Sequence, residues 1–319
     1  MEYRTLGRSG VRVSTIGLGG NTFGRSCDER QTAAIVHSAL ERGINHFDCA
    51  DTYGGGGVSE RFLGAALRDH RADAIIATKT GYPLGTGPND SGLSRRRIIN
   101  SCEASLQRLG TDYADIFYLH RPDPLTDIEE SLDALNDLVR QGKVRYAACS
   151  NYTGWEIARL CERAAAHGWS APIVTQSRYN LLSREIERDV APAALAYGLG
   201  IIPFSPLAGG LLTGKYEIGQ PAPAGARGAS SPRFTRLLEA DVLEVVTELE
   251  TFARERQRKV GELALAWLLA QPGVASVIAG VTGPEQVRAN ADASTWTLSD
   301  EELATIDAIV AHAPEGLDT

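Results

Sequence analysis

Four side chains able to move protons stand at the ends of three successive apolar runs. Asp48 follows the run 44–47, Lys79 the run 74–78 and His120 the run 116–119, while Tyr53 lies five residues past Asp48 in Asp48-Cys49-Ala50-Asp51-Thr52-Tyr53-Gly54. A phenol of ordinary pKa, about 10, is a weak acid near neutrality, but a neighbouring ammonium stabilises the phenolate and lowers that value. Lys79 is the expected source of that charge. Asp48 is its expected counter-ion, because an unpaired ammonium is costly to desolvate. His120 is then placed to donate a hydrogen bond to a carbonyl or to help relay its proton. Singly, each residue has an ordinary account: Asp48 caps a loop, Tyr53 packs in a wall, Lys79 is solvated and His120 is a satisfied core histidine. Jointly they form a constellation that structural needs rarely assemble.

The elements that must position these groups are legible as alternation. Eight β-rich runs, 15–19, 44–47, 74–78, 116–119, 144–149, 173–175, 200–204 and 277–279, are separated by helical patterns. Strands spaced by amphipathic helices imply a parallel sheet buried on both faces, and eight of them imply closure into a (β/α)8 barrel. In such a barrel the loops after the strands build the active site, so Ser150-Asn151, Gln176 and Ser205 join the residues above at one mouth. Capping-box spacing marks helix starts at Asp28 with Gln31, Thr126 with Glu129, Thr153 with Glu156 and Ser299 with Glu302. The last of these opens a C-terminal helix with Leu303, Ile306 and Val310 on its apolar face. Residues 3–14, turning at Arg8-Ser9-Gly10, predict a hairpin that closes the barrel bottom. Residues 208–234, rich in Gly, Pro and Ala, predict a long loop without regular structure that serves as a lid.

Composition narrows the function classes. A length of 319 residues alone suggests roughly two domains, but the strand count assigns 1–319 to a single barrel domain. With 32 Lys+Arg against 40 Asp+Glu the formal charge is -8, which repels nucleic acid and anionic membrane surfaces. The five cysteines form no Cys-x-x-Cys pair and no even framework, and no basic leader or run of roughly 20 apolar residues is present, so a cytoplasmic location is expected. No metal-ligand spacing or nucleophile elbow occurs, and Gly54 to Gly57 does not match a phosphate-binding fingerprint. His46 is expected to pack in the barrel core beside Asp48, and Trp155 and Trp169 to anchor loops.

The stretch from Gly43 to Gly54, followed by Ser59-Glu60 and Leu63-Gly64, resembles the signature of the aldo-keto reductases. The resemblance continues through Leu119-His120-Arg121-Pro122-Asp123, Ser150-Asn151, Gln176, Tyr179-Asn180-Leu181-Leu182, the run from Ser205 to Tyr216, Glu285-Gln286 and Asn290. It implies a carbonyl reductase that carries a nicotinamide cofactor across the barrel mouth. Hydride would pass to the carbonyl carbon and Tyr53 would protonate the alkoxide, with Asp48 and Lys79 tuning the phenol and His120 orienting the carbonyl. In reverse, the Tyr53 phenolate would accept an alcohol proton.

By the same resemblance, Gly20, Asn21 and Asp48 fall in the cofactor site, and Ser150, Asn151 and Gln176 hold the carboxamide. Phe204 or Tyr179 is the ring-stacking neighbour. Ser205, Pro206, Leu207, Gly209 and Lys215 match the pyrophosphate stretch, and Gly280, Thr282, Gln286 and Asn290 the adenosine end. The sequence departs from the family at Cys49, where a threonine is usual, and at Val281-Thr282-Gly283-Pro284, where many members place a base for the 2′-phosphate of NADP. Arg227 in the lid, and less directly Arg288, are the candidate substitutes, so NADPH is favoured over NADH. The substrate side is assigned to Phe23, Tyr82, Arg121 and the C-terminal tail. The expected partner is a small-molecule carbonyl or alcohol, and a homo-oligomer is left open. Two other readings remain: a cofactor-binding regulatory subunit of membrane channels, whose members carry asparagine where His120 stands, and an aldolase with Lys79 as Schiff-base nucleophile.

Overall fold

Strands buried on both faces need apolar side chains on both, and the runs around Ile76, Phe117 and Ile201 supply them. In the computed structural model, residues 1–319 are described except 224, 225, 231–233, 235, 315, 318 and 319 and the side chains of 227, 230 and 236. A hairpin of β1 (Tyr3–Thr5) and β2 (Arg12–Ser14) precedes the barrel strands β3 (Ile16–Gly19), β4 (His46–Asp48), β5 (Ile75–Thr80), β6 (Ala114–Leu119), β7 (Val144–Ser150), β8 (Val174–Arg178), β9 (Gly200–Phe204) and β10 (Val277–Gly280). The last eight form one sheet in the order β10-β3-β4-β5-β6-β7-β8-β9, and every pairing between neighbours is parallel. At the seam, Ile201 N–H donates to Gly273 O (2.8 Å) and Ala275 N–H to Ile201 O (3.0 Å), so the sheet is nearly closed into the (β/α)8 barrel read from the sequence.

The helices are α1 (Glu29–Glu41), the one-turn α2 (Tyr53–Gly56), α3 (Val58–Ala66), α4 (Arg95–Leu109), α5 (Ile128–Arg140), α6 (Gly154–His167), α7 (Val190–Tyr197), the short α8 (Arg227–Ser230), α9 (Ala240–Glu255), α10 (Val260–Ala270), α11 (Pro284–Ala293) and α12 (Asp300–Val310). The capping boxes at Asp28–Gln31 and Ser299–Glu302 form as expected. Thr153 likewise donates its N–H to Glu156 (2.8 Å). The one at Thr126 does not. Asp123 accepts the Thr126 hydroxyl at 2.6 Å, Asp127 becomes the residue before the helix, and Glu129 turns outward to Arg163 at 3.0 Å. No helix among the described residues is long and apolar enough to cross a membrane.

Beneath the mouth the barrel interior is filled by Ala77, Ile116, Tyr118, Ala148, Val174, Ile202 and Ile278, and the hairpin closes the bottom with Leu6 and Val13. The segment after β9 is more structured than its composition predicts. It begins with a tight turn over Ala208–Thr213 and includes α8, with Tyr216 and Phe234 packed ring against ring at 6.3 Å. The C-terminal tail is held against the loop after β8: Leu317 is buried and its carbonyl accepts the Ser183 hydroxyl at 2.9 Å. Trp169 stacks on His167 at 4.2 Å, but Trp155 is 64% exposed and anchors nothing. Truncating the bottom plug with Leu6→Ala removes a fully buried side chain under a packed layer. It should lower unfolding stability by about 2–5 kcal/mol in a denaturant titration, and a loss below 0.5 kcal/mol would mean the hairpin does not seal the core.

Candidate active site

The mouth is organised by one buried ion pair. Lys79, fully buried at the end of β5, donates from Nζ to Asp48 Oδ2 at 2.6 Å and to Cys49 O at 2.8 Å. The strand registers Asp48↔Ala77 and Lys79↔Tyr118 fix this meeting: alternation turns Asp48 inward from β4 and both Ala77 and Lys79 inward from β5, with Lys79 two residues past the partner of Asp48. Gln176 Nε2 donates to the other carboxylate oxygen at 2.9 Å, so both oxygens of Asp48 are held. The Lys79 ammonium lies 5.0 Å from the centre of the Tyr53 ring. Tyr53 faces His120 edge-on, with ring centroids 6.0 Å apart, and Tyr82 closes on His120 at 4.6 Å. The Arg121 guanidinium stacks over Tyr82, also at 4.6 Å.

These surroundings set the protonation states. Burial works against the Lys79 ammonium, but Asp48 and Tyr53 outweigh it and hold its pKa above the ordinary lysine value. An ammonium already committed to Asp48 and the Cys49 carbonyl is poorly placed to act as a free amine, which argues against the aldolase reading. Burial pushes His120 down to about 2, helped by the charges of Lys79 and Arg121, so its imidazole is a neutral hydrogen-bonding group. Tyr53 departs from the sequence expectation. Its enclosure raises the phenol pKa, and Lys79 offsets only part of that rise, so the resting phenol is fully protonated.

A second buried pair ties the loops after β4 and β5 together. Arg97, in the first turn of α4, donates from Nη2 to Asp51 Oδ2 at 2.9 Å and to Tyr82 O at 3.4 Å, and Ser101 Oγ donates to the same carboxylate oxygen at 2.9 Å. Asp51 lies two residues before Tyr53, and Tyr82 three after Lys79. One guanidinium therefore fixes both loops. Sequence reasoning missed this hub, although a signal was present: Arg95-Arg96-Arg97 opens a helix whose N-terminal dipole disfavours cations, which points to pairing elsewhere in the fold.

The mouth opens into a cavity of 720 Å³ running from Tyr53, Tyr82 and His120 to the α11 side. Its wall includes Asn21, Asp48, Ser150, Asn151, Gln176, Phe204, Ser205, Pro206, Leu207, Gly209, Lys215, Gly280, Thr282, Gln286 and Asn290, all singled out from sequence. Phe204, not Tyr179, is the aromatic wall: Tyr179 is buried against Trp267 and donates its hydroxyl to Glu187 at 2.6 Å. Gly20 sits just behind the wall, where its N–H donates to Asp48 O at 2.7 Å and a Cβ would come within 2.8 Å of Ser59 Oγ. Phe23 is 1% exposed in the core and does not line the cavity, whereas the preceding Asn21 and Thr22 do, Thr22 donating its hydroxyl to Val281 O at 2.8 Å. Arg121 stands outside the lining, behind Tyr82, and no C-terminal residue among those described reaches the cavity. Arg288 pairs with Glu285 at 3.1 Å, also outside the lining. The Arg227 side chain lies outside the described residues.

Ser205 (φ 55°), Ala208 (φ 48°), Gly209 (φ 65°) and Gly210 (φ 107°) curl the wall after β9 through left-handed backbone, a turn closed by Ala208 N–H to Ser205 O at 3.0 Å and Gly210 N–H to Leu207 O at 2.8 Å. Asn151, also at positive φ (63°), spans the gap between β6 and β7 by donating from Nδ2 to His120 O at 2.9 Å. Residues that sequence reading did not place on the wall include Thr22, Arg178, Gly210, Lys259, Gly261 and Glu262. The last three lie on turns and on a helix start far along the chain, with no motif of their own.

Comparison with known proteins agrees with this geometry. Residues 15–311 match the family model described as "Aldo/keto reductase family". A rice protein described as a probable voltage-gated potassium channel subunit beta is 38% identical over 99% of this chain and 98% of its own length. L-glyceraldehyde 3-phosphate reductase of Escherichia coli O157:H7 is 37% identical over 98% of this chain and 93% of its own. Aldo-keto reductase YhdN of Bacillus subtilis is 33% identical, covering 97% and 94%.

Two buried imidazoles make stability depend on pH. His46, hydrogen-bonded through Nδ1 to Ser276 Oγ at 3.0 Å, is lowered to about 4 by burial, and His120 to about 2. Both are neutral in the folded state, while the unfolded imidazoles protonate near the ordinary value of about 6.5. Their contribution is intact above pH 6.5 and is lost as pH falls below it, by about 2 kcal/mol per group at pH 5. Urea titrations at pH 7 and pH 5 should show this loss, and a His46→Phe variant that keeps the full pH slope would exclude His46 from it.

Proposed function

The chain belongs to the aldo/keto reductase family, and we propose that it is an NADPH-dependent reductase of small aldehydes or ketones, acting reversibly as a single barrel domain in the cytoplasm. The observation that carries this reading is the complete set of Asp48, Tyr53, Lys79 and His120 at one end of the cavity, with the Asp48–Lys79 contact at 2.6 Å. Bound at the cavity wall, the nicotinamide supplies hydride to the carbonyl carbon.

The protein supplies everything else. A substrate carbonyl oxygen set between Tyr53 and His120 receives a hydrogen bond from the neutral imidazole and the phenolic proton as alkoxide character develops. The negative charge left on Tyr53 then faces Lys79, and this is when the ammonium stabilises most, because the charge exists only late in the transfer. The raised pKa of the resting phenol suits reduction, which needs the proton in place. Oxidation of an alcohol needs the phenolate and should accelerate as pH rises. Ser150, Asn151 and Gln176 serve the carboxamide, Phe204 the nicotinamide ring, the curled wall from Ser205 the pyrophosphate, and Thr282, Gln286 and Asn290 the adenosine.

A regulatory channel subunit is the second reading, favoured by the names of the rice and Arabidopsis thaliana relatives. His120 argues for turnover, because the channel-associated type carries asparagine there. Glyceraldehyde 3-phosphate is the first physiological carbonyl to assay, given the Escherichia coli relative. Stopped-flow mixing of the NADPH complex with 4-nitrobenzaldehyde should give rapid cofactor oxidation. Tyr53→Phe should bind NADPH with unchanged Kd and lose about 10²-fold or more of that rate. Retained turnover would remove Tyr53 from its role, and tight binding with no oxidation in the unaltered protein would favour the regulatory reading.

A further inference from the structure

We propose that Lys259 recognises the 2′-phosphate of the cofactor and sets the preference for NADPH over NADH; the inference rests on the cofactor reading above. The turn where a basic residue would be expected, Val281-Thr282-Gly283-Pro284, offers none. It closes on itself instead: Thr282 donates its N–H to Gln286 Oε1 at 2.6 Å, with the Thr282 hydroxyl 3.3 Å from the same oxygen. Among the described residues, the cations that do line the cavity are Arg178, Lys215 and Lys259. Arg178 pairs in register with Phe204 across β8 and β9, which puts it at the nicotinamide end. Lys215 Nζ lies over Gly210, within 3.0 Å of where a Cβ would stand, so it belongs to the curled pyrophosphate wall.

Lys259 occupies the junction that remains. It immediately precedes α10, and two residues on, a Cβ at Gly261 would come within 3.4 Å of Leu212 O and 3.8 Å of the Leu207 side chain, against the pyrophosphate wall. On its other side α10 packs along α11, which presents Gln286, Ala289 and Asn290 to the cavity. The ribose between pyrophosphate and adenine must cross this junction, and its 2′ substituent is the cofactor's only group there that carries charge in NADPH and not in NADH.

Local energetics support a ligand role. The residue before a helix is ordinarily Ser, Thr, Asp or Asn, whose side chain satisfies a first-turn amide, and a cation beside the positive end of the helix dipole is unfavourable. Lys259 therefore stands where the helix alone disfavours it. Its ammonium makes no ion pair among the described residues. The nearby Glu262 carboxylate is engaged by Arg258 Nη1 at 3.0 Å and by the Lys259 backbone N–H at 2.9 Å. A phosphate dianion would answer both the ammonium and the dipole.

The test is direct binding of each cofactor to the full chain, by calorimetry, with melting temperature as the check on folding. Lys259→Met should weaken NADPH at least tenfold, leave NADH within twofold, and be largely rescued in Lys259→Arg. Equal losses for both cofactors would place Lys259 at the pyrophosphate and overturn the proposal. So would no change for either, or an NADPH-selective loss in Arg227→Ala without one in Lys259→Met. Failure of the unaltered protein to bind either cofactor would instead defeat the underlying reading.

Discussion

A fully buried ammonium is tolerable only if its charge is met at close range, and the contact between Lys79 and Asp48 meets that demand at the centre of the barrel mouth. Much of the surrounding architecture follows from it. Asp48 must end one strand and Lys79 must face inward from the next, two residues past Ala77, the register partner of Asp48, which the parallel register provides. Gln176 reaches across from β8 to hold the second carboxylate oxygen, so strands on opposite sides of the ring converge on one group. A pair this enclosed contributes less to stability than to geometry. Its value lies in a fixed positive charge that faces the Tyr53 ring without solvent to screen it.

The phenol shows why magnitudes and directions matter more than proximity. A lysine beside a tyrosine suggests a depressed pKa, yet the enclosure that creates the site raises the value and the ammonium recovers only part of it. The two effects suit different moments of a proton transfer. In the proposed reaction, burial would keep the Tyr53 donor protonated beforehand and the ammonium would stabilise the phenolate afterwards. The Arg97–Asp51 pair and the contact of Arg97 with the Tyr82 carbonyl then hold the loops that bear these groups, so the site is pre-organised from a helix outside the barrel.

Strand order and the meeting of Asp48, Tyr53, Lys79 and His120 at one mouth were readable from sequence because each rests on a local pattern: an apolar run ending in a polar residue at a barrel mouth. Most of the cavity wall was readable for a different reason, the resemblance of quoted motifs to a family. What escaped was set by tertiary contact. Phe23 lies in the right loop but turns into the core, and Arg121 stacks behind Tyr82, because the direction of a loop side chain is decided by its neighbours and not by its position. The Thr126 cap failed because Asp123 competed for the same hydroxyl. Lys259 was invisible because nothing in its own segment marks it as facing a cavity. The formal charge of -8 thus coexists with cations placed locally on the cavity wall, Lys215 and Lys259.

The central claim is that Asp48 and Lys79 act as one unit on proton transfer. A double-mutant cycle on the single-turnover rate of carbonyl reduction, with Asp48→Asn, Lys79→Met and both together at saturating cofactor, tests it most directly. If the pair is a unit, the double variant will be no slower than the slower single one. If the logarithms of the two losses simply add, each residue acts alone and the account is contradicted.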